Sequence, residues 1–316
     1  MSDAPLVVVL TAVPTTVVDR LRAHAEVLDV SAQPREQWDA ALARATGILV
    51  SSATPVDAAL LAAAPRLRIV ATVSVGVDNI ARDVLKARGI ALTNTRGSLN
   101  SAVADLTFGL VIMGQRELAH NAAWVRSGRW MREVPPYSRD LAGATLGILG
   151  FGAIGLEVAR RAQLSGMRIA YHNRHRREDD AVTGATYREF DELLAEADVL
   201  VVLVPLGPQT RGLFDDAAFA KMKPGAVFVN VARGAICDTA ALLRALESGR
   251  LRGAALDVTD PEPLPPEHPL LARDDVVVVP HVGSATVETR TRMALVGADN
   301  LIAFLRGEPP PLPVSL

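Results

Sequence analysis

The chain contains a single cysteine, Cys237, among its 316 residues. An internal disulfide framework is therefore excluded, and the composition suits a reducing compartment. Cys237 sits between Ile236 and Asp238 with no second thiol near in sequence, so it reads as a structural thiol rather than a nucleophile. The chain also lacks any apolar run approaching the ~20 residues a membrane helix needs. The opening MSDAPLVVVLTAVP has no basic segment before its short apolar stretch and is broken by Pro14, so it reads as a first strand and not as a signal peptide. A cytoplasmic protein without a membrane partner is expected. No basic surplus is present either: the formal net charge is -2, which argues against nucleic acid as a partner. Internal repeats and low-complexity tracts are absent. No pair among His24, His120, His172, His175 and His268 has convincing metal-ligand spacing with a nearby acid, so no metal site is expected.

What is present is a chain of ordinary globular composition, 49% hydrophobic and 22% charged, whose length suggests two domains. Short apolar runs alternate with stretches of helical spacing. Pro5–Leu10, Gly47–Ser51, Leu67–Ala71 and Ile90–Leu92 form a first series of strands. Continuous apolar runs of this kind mark parallel strands buried on both faces. From Asn100 to about Gly128 the pattern becomes one long helix, followed by a polar crossover over Glu133–Asp140. A second series then follows: Thr145–Leu149, Arg168–His172, Val199–Val204, Ala226–Val231, Ala254–Val258 and Val276–Val279. Six strands are the number a dinucleotide-binding sheet uses. Thr286–Arg306 reads as a final long helix whose Leu295, Leu301 and Leu305 return to the first domain. The expected fold class is thus α/β, with two doubly wound parallel-sheet domains. The expected boundaries are residues 1–99 plus 286–316 for a substrate-binding domain and 100–285 for a dinucleotide-binding domain.

TLGILGFGAIGLEVARRA places Gly150, Gly152 and Gly155 in GxGxxG spacing, directly after an apolar strand and at the start of a helix. Gly150 permits the tight turn, Gly152 lets the backbone approach a pyrophosphate, and Gly155 allows close helix–strand packing. The helix start, with Ala153 and Ile154, offers unpaired N–H groups to phosphate. A carboxylate about 20 residues further on would hold the ribose 2′-OH of NAD. Here Asn173 stands in that place, followed by Arg174, His175, Arg176 and Arg177. A carboxylate would repel a 2′-phosphate and a guanidinium would bind it, so NADP (as NADPH) is expected, with NAD as a weaker alternative. His175 is a further candidate contact to the 2′-phosphate or adenine.

Three residues downstream each lie just past an apolar run: Arg233 in FVNVARGAICD, Glu262 in DVTDPEPLPPEHP and His281 in VVVVPHVGSAT. In open α/β sheets ligands sit outside the carboxyl ends of the strands, so the three can converge on one site. Reduction of a 2-oxo acid needs a group to hold the carboxylate, a proton donor for the carbonyl oxygen, and a hydride. Arg233 supplies a cationic fork, His281 a proton that moves near neutral pH, and Glu262 an anchor for the imidazole.

At this point the chain resembles the D-isomer-specific 2-hydroxyacid dehydrogenases, and is similar in particular to glyoxylate/hydroxypyruvate reductases. The resemblance rests on VSVGVDNI, LGILGFGAIG, VPLGPQTRGLF, MKPGAVFVNVARGAI, GAALDVTDPEPLPPEHPLL and PHVGSATVETR, in that order. It implies that Arg233, Glu262 and His281 are the substrate-binding and acid/base trio. It implies that the backbone N–H groups of Val75 and Gly76 hold the substrate carboxylate. Pro205, Ala232, Asp257 and Gly283 match cofactor-contacting positions, and Thr210 and Val231 beside them are further candidates. A Rossmann-like cofactor domain, a flavodoxin-like substrate domain, an active site in the cleft between them, and a homodimer joined through the cofactor domain and the helix after Asn100 are all implied. Two positions depart from the common pattern, Ala81 and Gly207, and neither belongs to the trio.

The expected activity is NADPH-preferring reduction of a small 2-oxo acid, glyoxylate or hydroxypyruvate, to the D-2-hydroxy acid. Ser52, with Ser51 after the second apolar run, offers only a small neutral hydroxyl where 3-phosphoglycerate enzymes commonly carry an arginine. Phosphorylated acids are therefore disfavoured, and the chain's ending after the last helix argues the same way. Two alternatives remain open: 2-oxogluconate reduction or that of another D-2-hydroxy acid, and a dinucleotide-sensing corepressor-like role. Trp124 and Trp130, which flank the long helix, are expected to pack at an interface.

Overall fold

In the computed structural model, which describes residues 5–179 and 183–316, the chain divides into two compact units, Met1–Leu99 with Thr286–Leu316 and Asn100–Ala285. Unit 1 is built on five parallel strands: β1 (Leu6–Val9), β2 (Glu26–Asp29), β3 (Gly47–Val50), β4 (Ile69–Thr72) and β5 (Ala91–Thr93), in the order β2-β1-β3-β4-β5. That is the flavodoxin-like doubly wound order. Every residue of β1, β3 and β4 is buried, because helices cover both faces of the sheet. On one face Val17 and Leu21 of the helix Thr15–Arg22 pack beside Ala298 and Leu301 of the helix Val287–Leu305. On the other, Leu42, Leu60, Leu61 and Leu85 close the core. The helix Val287–Leu305 is started by Thr286, whose hydroxyl accepts from the Thr289 N–H at 3.2 Å. The returning segment is helical as expected, and Leu301 is fully buried in the unit-1 core with Leu295 and Leu305 against it.

Unit 2 carries seven parallel strands: β6 (Thr145–Leu149), β7 (Arg168–His172), β8 (Ala185–Tyr187), β9 (Val199–Val202), β10 (Ala226–Asn230), β11 (Leu251–Leu256) and β12 (Val276–Val278). Their order is β12-β11-β10-β9-β6-β7-β8. Strand order reverses between β6 and β9, and that switch point is where a doubly wound sheet opens a crevice for a ligand. The six-stranded expectation for this unit needs correction. The Rossmann six are β8-β7-β6-β9-β10-β11, and β12 is a seventh strand outside them. Both β8 and, in unit 1, β2 escaped sequence reading because neither carries a continuous apolar run. β2 reads Glu-Val-Leu-Asp with neither end buried, so it lacks the continuous apolar run that marks a central strand.

The single helix expected from Asn100 to about Gly128 is also corrected. It runs Asn100–Gln115, breaks at Glu117, which adopts φ 50, and resumes over Leu118–Arg126. The break is held by Arg252 at the start of β11. Its guanidinium donates to the Gln115 carbonyl at 3.2 Å, to Gln115 Oε1 at 2.8 Å and to Glu117 Oε1 at 2.7 Å. A cation on the last carbonyls of a helix stabilises its end, and here it arrives from a distant strand that no local pattern could foretell.

Candidate active site

The turn after β6 is shaped by its glycines. Gly150 adopts φ 99, and a Cβ there would meet the backbone of Leu203 and Val204 at 2.8 Å. Only glycine fits so close to the end of β9. A Cβ on Gly152 would meet nothing within 4 Å. Its small size is therefore not required by protein packing, and the open space above it is where a pyrophosphate can approach. A Cβ on Gly155 would meet the Gly150 carbonyl at 2.8 Å, so this glycine serves the turn itself. The helix Ala153–Leu164 starts at Gly152 with no side-chain cap, which leaves its first N–H groups to a ligand.

Asn173, past the end of β7, has a partner not legible in the sequence. Its Oδ1 accepts from the Phe151 N–H at 2.7 Å, and its Nδ2 donates to the Phe151 carbonyl at 3.3 Å. The amide thus clamps the Gly-rich turn from below. Arg177 is committed in a similar way. Its guanidinium lies bidentate on Asp179, both contacts at 2.7 Å, and donates to the Phe151 carbonyl at 3.1 Å. The hydrogen bond to Arg177 holds the Asp179 carboxyl below the usual carboxylate range. Between these anchors Arg174, His175 and Arg176 are exposed at the carboxyl end of the sheet.

The trio lies at the carboxyl ends of neighbouring strands. Arg233 is half-buried beyond β10, in a loop braced by Asn230. Asn230 Nδ2 donates to the Arg233 carbonyl at 3.0 Å, and its Oδ1 accepts from the Ala232 N–H at 3.1 Å. Gly234 lies so close to the Thr259 carbonyl that no Cβ would fit, which locks this loop onto the one beyond β11. There Glu262 Oε1 meets His281 Nδ1 at 2.7 Å, with the two side chains 42% and 38% exposed. A carboxylate on Nδ1 fixes the ring and leaves Nε2 for proton exchange. His281 adopts φ 52, rare for a residue with a side chain.

That backbone is held by Asp257, just past the end of β11. Its carbonyl accepts from the His281 N–H at 2.9 Å, Oδ1 from the Val282 N–H at 2.6 Å and Oδ2 from the Gly283 N–H at 3.0 Å. Burial raises the Asp257 carboxyl above its ordinary range, against the pull of those two N–H groups. Asp257 and Gly283, matched by resemblance to cofactor positions, are thus brought together beneath His281. Thr210 spends its hydroxyl on its own loop, accepting from the Gly207 N–H at 2.8 Å and donating to the Pro205 carbonyl at 2.7 Å. Val231 and Ala232 are buried beside Arg233. Ser52, Val75 and Gly76 lie in unit 1, Ser52 beyond β3 and the other two beyond β4, again at carboxyl ends. Cys237 is buried, and burial pushes its thiol far up, so it is no nucleophile. Among the described residues no helix is long and apolar enough to cross a membrane. No group of three or more His, Cys, Asp or Glu among them could hold a metal ion.

With this geometry in place, comparison with known proteins is specific. The family model described as D-isomer specific 2-hydroxyacid dehydrogenase, NAD binding domain, matches residues 108–283. A glyoxylate reductase of Aeropyrum pernix is 46% identical over 263 residues, covering 81% of this chain and 78% of that protein. Glyoxylate/hydroxypyruvate reductase B of Shigella boydii is 42% identical over 311 residues, 96% of each chain. Among solved structures, a glyoxylate reductase from Paecilomyes thermophila superposes with a TM-score of 0.91 at 34% identity, covering 99% of both chains. An NADPH-dependent glyoxylate/hydroxypyruvate reductase from Sinorhizobium meliloti, in complex with NADP and malonate, gives 0.88 at 36% identity, covering 99% of this chain and 97% of that one.

Proposed function

The chain belongs to the D-isomer specific 2-hydroxyacid dehydrogenase family, and we propose that within it the protein is an NADPH-preferring reductase of glyoxylate and hydroxypyruvate. It is an oxidoreductase of that family. The observation that carries the finer reading is the Glu262–His281 pair at 2.7 Å, set on a backbone that Asp257 holds. A histidine so anchored is suited to give its proton to a ketone oxygen as that oxygen gains charge. Arg233 we assign to the carboxylate of the oxo acid, together with the backbone N–H groups of Val75 and Gly76, and Ser52 to the far end of the substrate. Unit 1 is then the substrate-binding domain and unit 2 the cofactor domain.

The open space over Gly152 fits a pyrophosphate, and the exposed Arg174, His175 and Arg176 fit a 2′-phosphate. Bound there, NADPH supplies the hydride. His281 gives up its proton in the reduction direction and regains it from solvent. Glu262 steadies the imidazolium in the charged form and the ring orientation in both. Pro205, Thr210, Val231, Ala232, Asp257 and Gly283 line the remaining path we assign to the cofactor. Two relatives named as glyoxylate/hydroxypyruvate reductases support the substrate class, and the Sinorhizobium complex supports NADP.

A homodimer is part of the proposal. Val125, Trp130, Met131, Val134 and Tyr137 are exposed within one stretch of unit 2, Trp130 by 65% and Tyr137 by 93%. So large an apolar display is what an interface covers. A cytoplasmic location accompanies it, on the reduced state that one buried thiol suits. The deciding experiment is kcat/KM for glyoxylate, hydroxypyruvate, 2-oxogluconate and phosphohydroxypyruvate with NADPH and with NADH. Glyoxylate and hydroxypyruvate should lead with NADPH. A lead of more than about tenfold for either bulkier acid, ~1.4 kcal/mol in transition-state binding, would overturn the substrate reading. Equal use of NADH would overturn the cofactor reading, and no turnover of any acid would favour a sensing role.

A further inference from the structure

Unit 1 buries a polar network on side chains to which the sequence assigns no role. Thr72 and Asn300 are fully buried, Ser74 is 7% exposed and Asn94 8%. Polar groups in such a core are costly unless paired, so where their hydrogen bonds go is informative. They converge on one loop. The Thr95 N–H donates to the Ser74 carbonyl at 3.0 Å. Asn94 Nδ2 donates to the Val75 carbonyl at 3.1 Å. The Ser74 hydroxyl donates to the Gly76 carbonyl at 2.7 Å. Its proton being spent there, the Thr72 hydroxyl 2.7 Å away must donate to it. Asn94 is fixed in turn: Asn300 Nδ2 donates to its carbonyl at 3.1 Å, while Asn300 Oδ1 accepts from the Leu312 N–H at 3.0 Å.

The consequence follows from peptide geometry. In a trans peptide the C=O and the N–H point in opposite directions. The Ser74 carbonyl shares its peptide with the Val75 N–H, and the Val75 carbonyl shares its peptide with the Gly76 N–H. Both carbonyls are tied to residues 94 and 95, just beyond β5. Both N–H groups are therefore turned the other way, side by side, where an extended chain would alternate them. Two successive N–H groups on one side form an anion-binding concavity.

We propose that Ser74 and Asn94 are positioning residues that aim the Val75 and Gly76 N–H groups at the carboxylate of the substrate, with Asn300 anchoring Asn94. This rests on the assignment of those N–H groups to the carboxylate. Neither side chain touches substrate: Asn94 sets the tilt of the peptide that carries the Gly76 N–H, and Ser74, through the Gly76 carbonyl, fixes the peptide that follows and so holds the Val75–Gly76 turn in shape. Loss of the aim weakens oxo-acid binding and leaves cofactor binding alone.

The test is steady-state kinetics of Ser74→Ala, Ser74→Thr, Asn94→Ala and Val75→Pro, with glyoxylate varied at saturating NADPH and the reverse. Ser74→Ala should raise KM for glyoxylate by about threefold to tenfold, the worth of one hydrogen bond, with kcat and KM for NADPH within about twofold. Ser74→Thr, which keeps the hydroxyl, should restore it. Asn94→Ala should show the larger rise. If Asn94→Ala does not fold, Ser74→Ala and its threonine rescue decide alone. Val75→Pro deletes one N–H and tests the underlying assignment: a rise in KM for glyoxylate supports it. An unchanged KM in folded Val75→Pro overturns the assignment and the proposal with it. A rise in Val75→Pro beside an unchanged KM in folded Ser74→Ala and Asn94→Ala overturns the positioning role alone. Parallel loss of kcat and both KM values in Ser74→Ala, without threonine rescue, marks a merely structural residue and overturns it as well.

Discussion

The turn after β6 and the loop after β4 both present backbone N–H groups at the carboxyl end of a buried parallel strand, yet they are held in shape by opposite means. In unit 2 the work falls to glycines. A Cβ on Gly150 would stand 2.8 Å from the Leu203 backbone, so none fits, and Gly155 closes on the Gly150 carbonyl. In unit 1 the loop carries side chains and is pinned from outside by Asn94 and Thr95 and from within by Ser74. Steric necessity leaves a spacing that can be read along the chain. Hydrogen bonding from a neighbouring strand end leaves none. The first cradle is thus visible as Gly150-x-Gly152-x-x-Gly155, while the second is invisible except through resemblance to a family.

If both cradles only bind, the proton must come from elsewhere. His281→Asn should then lower kcat by ~10²–10⁴ while KM for NADPH and for glyoxylate stay near the wild-type values. Glu262→Gln should cost less, since the amide oxygen still accepts from Nδ1. A His281→Asn enzyme of near wild-type kcat would show that the proton has another donor.

The glycines themselves can be separated. Gly152→Val should melt close to the wild type, because a Cβ there has no protein atom within 4 Å, and should raise KM for NADPH by on the order of tenfold or more, ~1.4 kcal/mol. Gly150→Ala should instead lose stability by ~1–3 kcal/mol, from its positive φ and the Leu203 contact. The same loss of Tm in both would mean that the two glycines serve one purpose and the contrast is misdrawn.

A smaller effect is expected at the adenosine end. On the proposed assignment the glycine cradle meets the pyrophosphate that NADPH and NADH share, which leaves discrimination to the segment past β7. Arg174→Ala should weaken NADPH by about tenfold and leave NADH unchanged, as loss of one charge-assisted hydrogen bond implies. An equal change in both cofactors would return the discrimination to the turn.

The smallest effect serves as a control at the opposite end of the unit-2 sheet. Asp198 accepts from the Thr145 N–H at 2.9 Å and from Lys223 Nζ at 2.7 Å. Burial pushes its carboxyl up, but Lys223 and Thr145 outweigh that and hold it below the ordinary range. A depressed folded value means that its contribution is present above the ordinary carboxylate range and fades as pH falls through the lower value. Asp198→Asn should cost about 1–2 kcal/mol at pH 7, less toward strongly acid pH, with both KM values unmoved. Unfolding curves at several pH values check this, and a Tm gap that widens in acid would contradict it.

Reading along the chain succeeded wherever the cause is local. Strands β1, β3, β6, β9 and β10 are buried along their whole length, so their apolar runs are continuous. Arg233, Glu262 and His281 each lie within a short segment past a strand, so their place at carboxyl ends followed from the strand itself. Reading failed where a cause is distant or weak. β2 and β8 lie at sheet edges with partly exposed side chains. The break at Glu117 depends on Arg252, which is 135 residues away.

Two doubly wound sheets, the glycine turn and the residue types needed to reduce an oxo acid are legible along the chain, because burial on both faces, a missing Cβ and a titratable ring are properties of the residues themselves. What orients them comes from contacts between distant parts of the chain. Asn173 looks from its position like a substitute for a ribose-binding acid and proves to clamp Phe151 on both its N–H and its carbonyl. Asp257 supports His281 from below through Val282 and Gly283, and Asn300 reaches Asn94 across 206 positions of chain. A hydrogen bond is fixed by distance and angle in space, and nothing in the order of residues encodes either until the strands have been laid side by side.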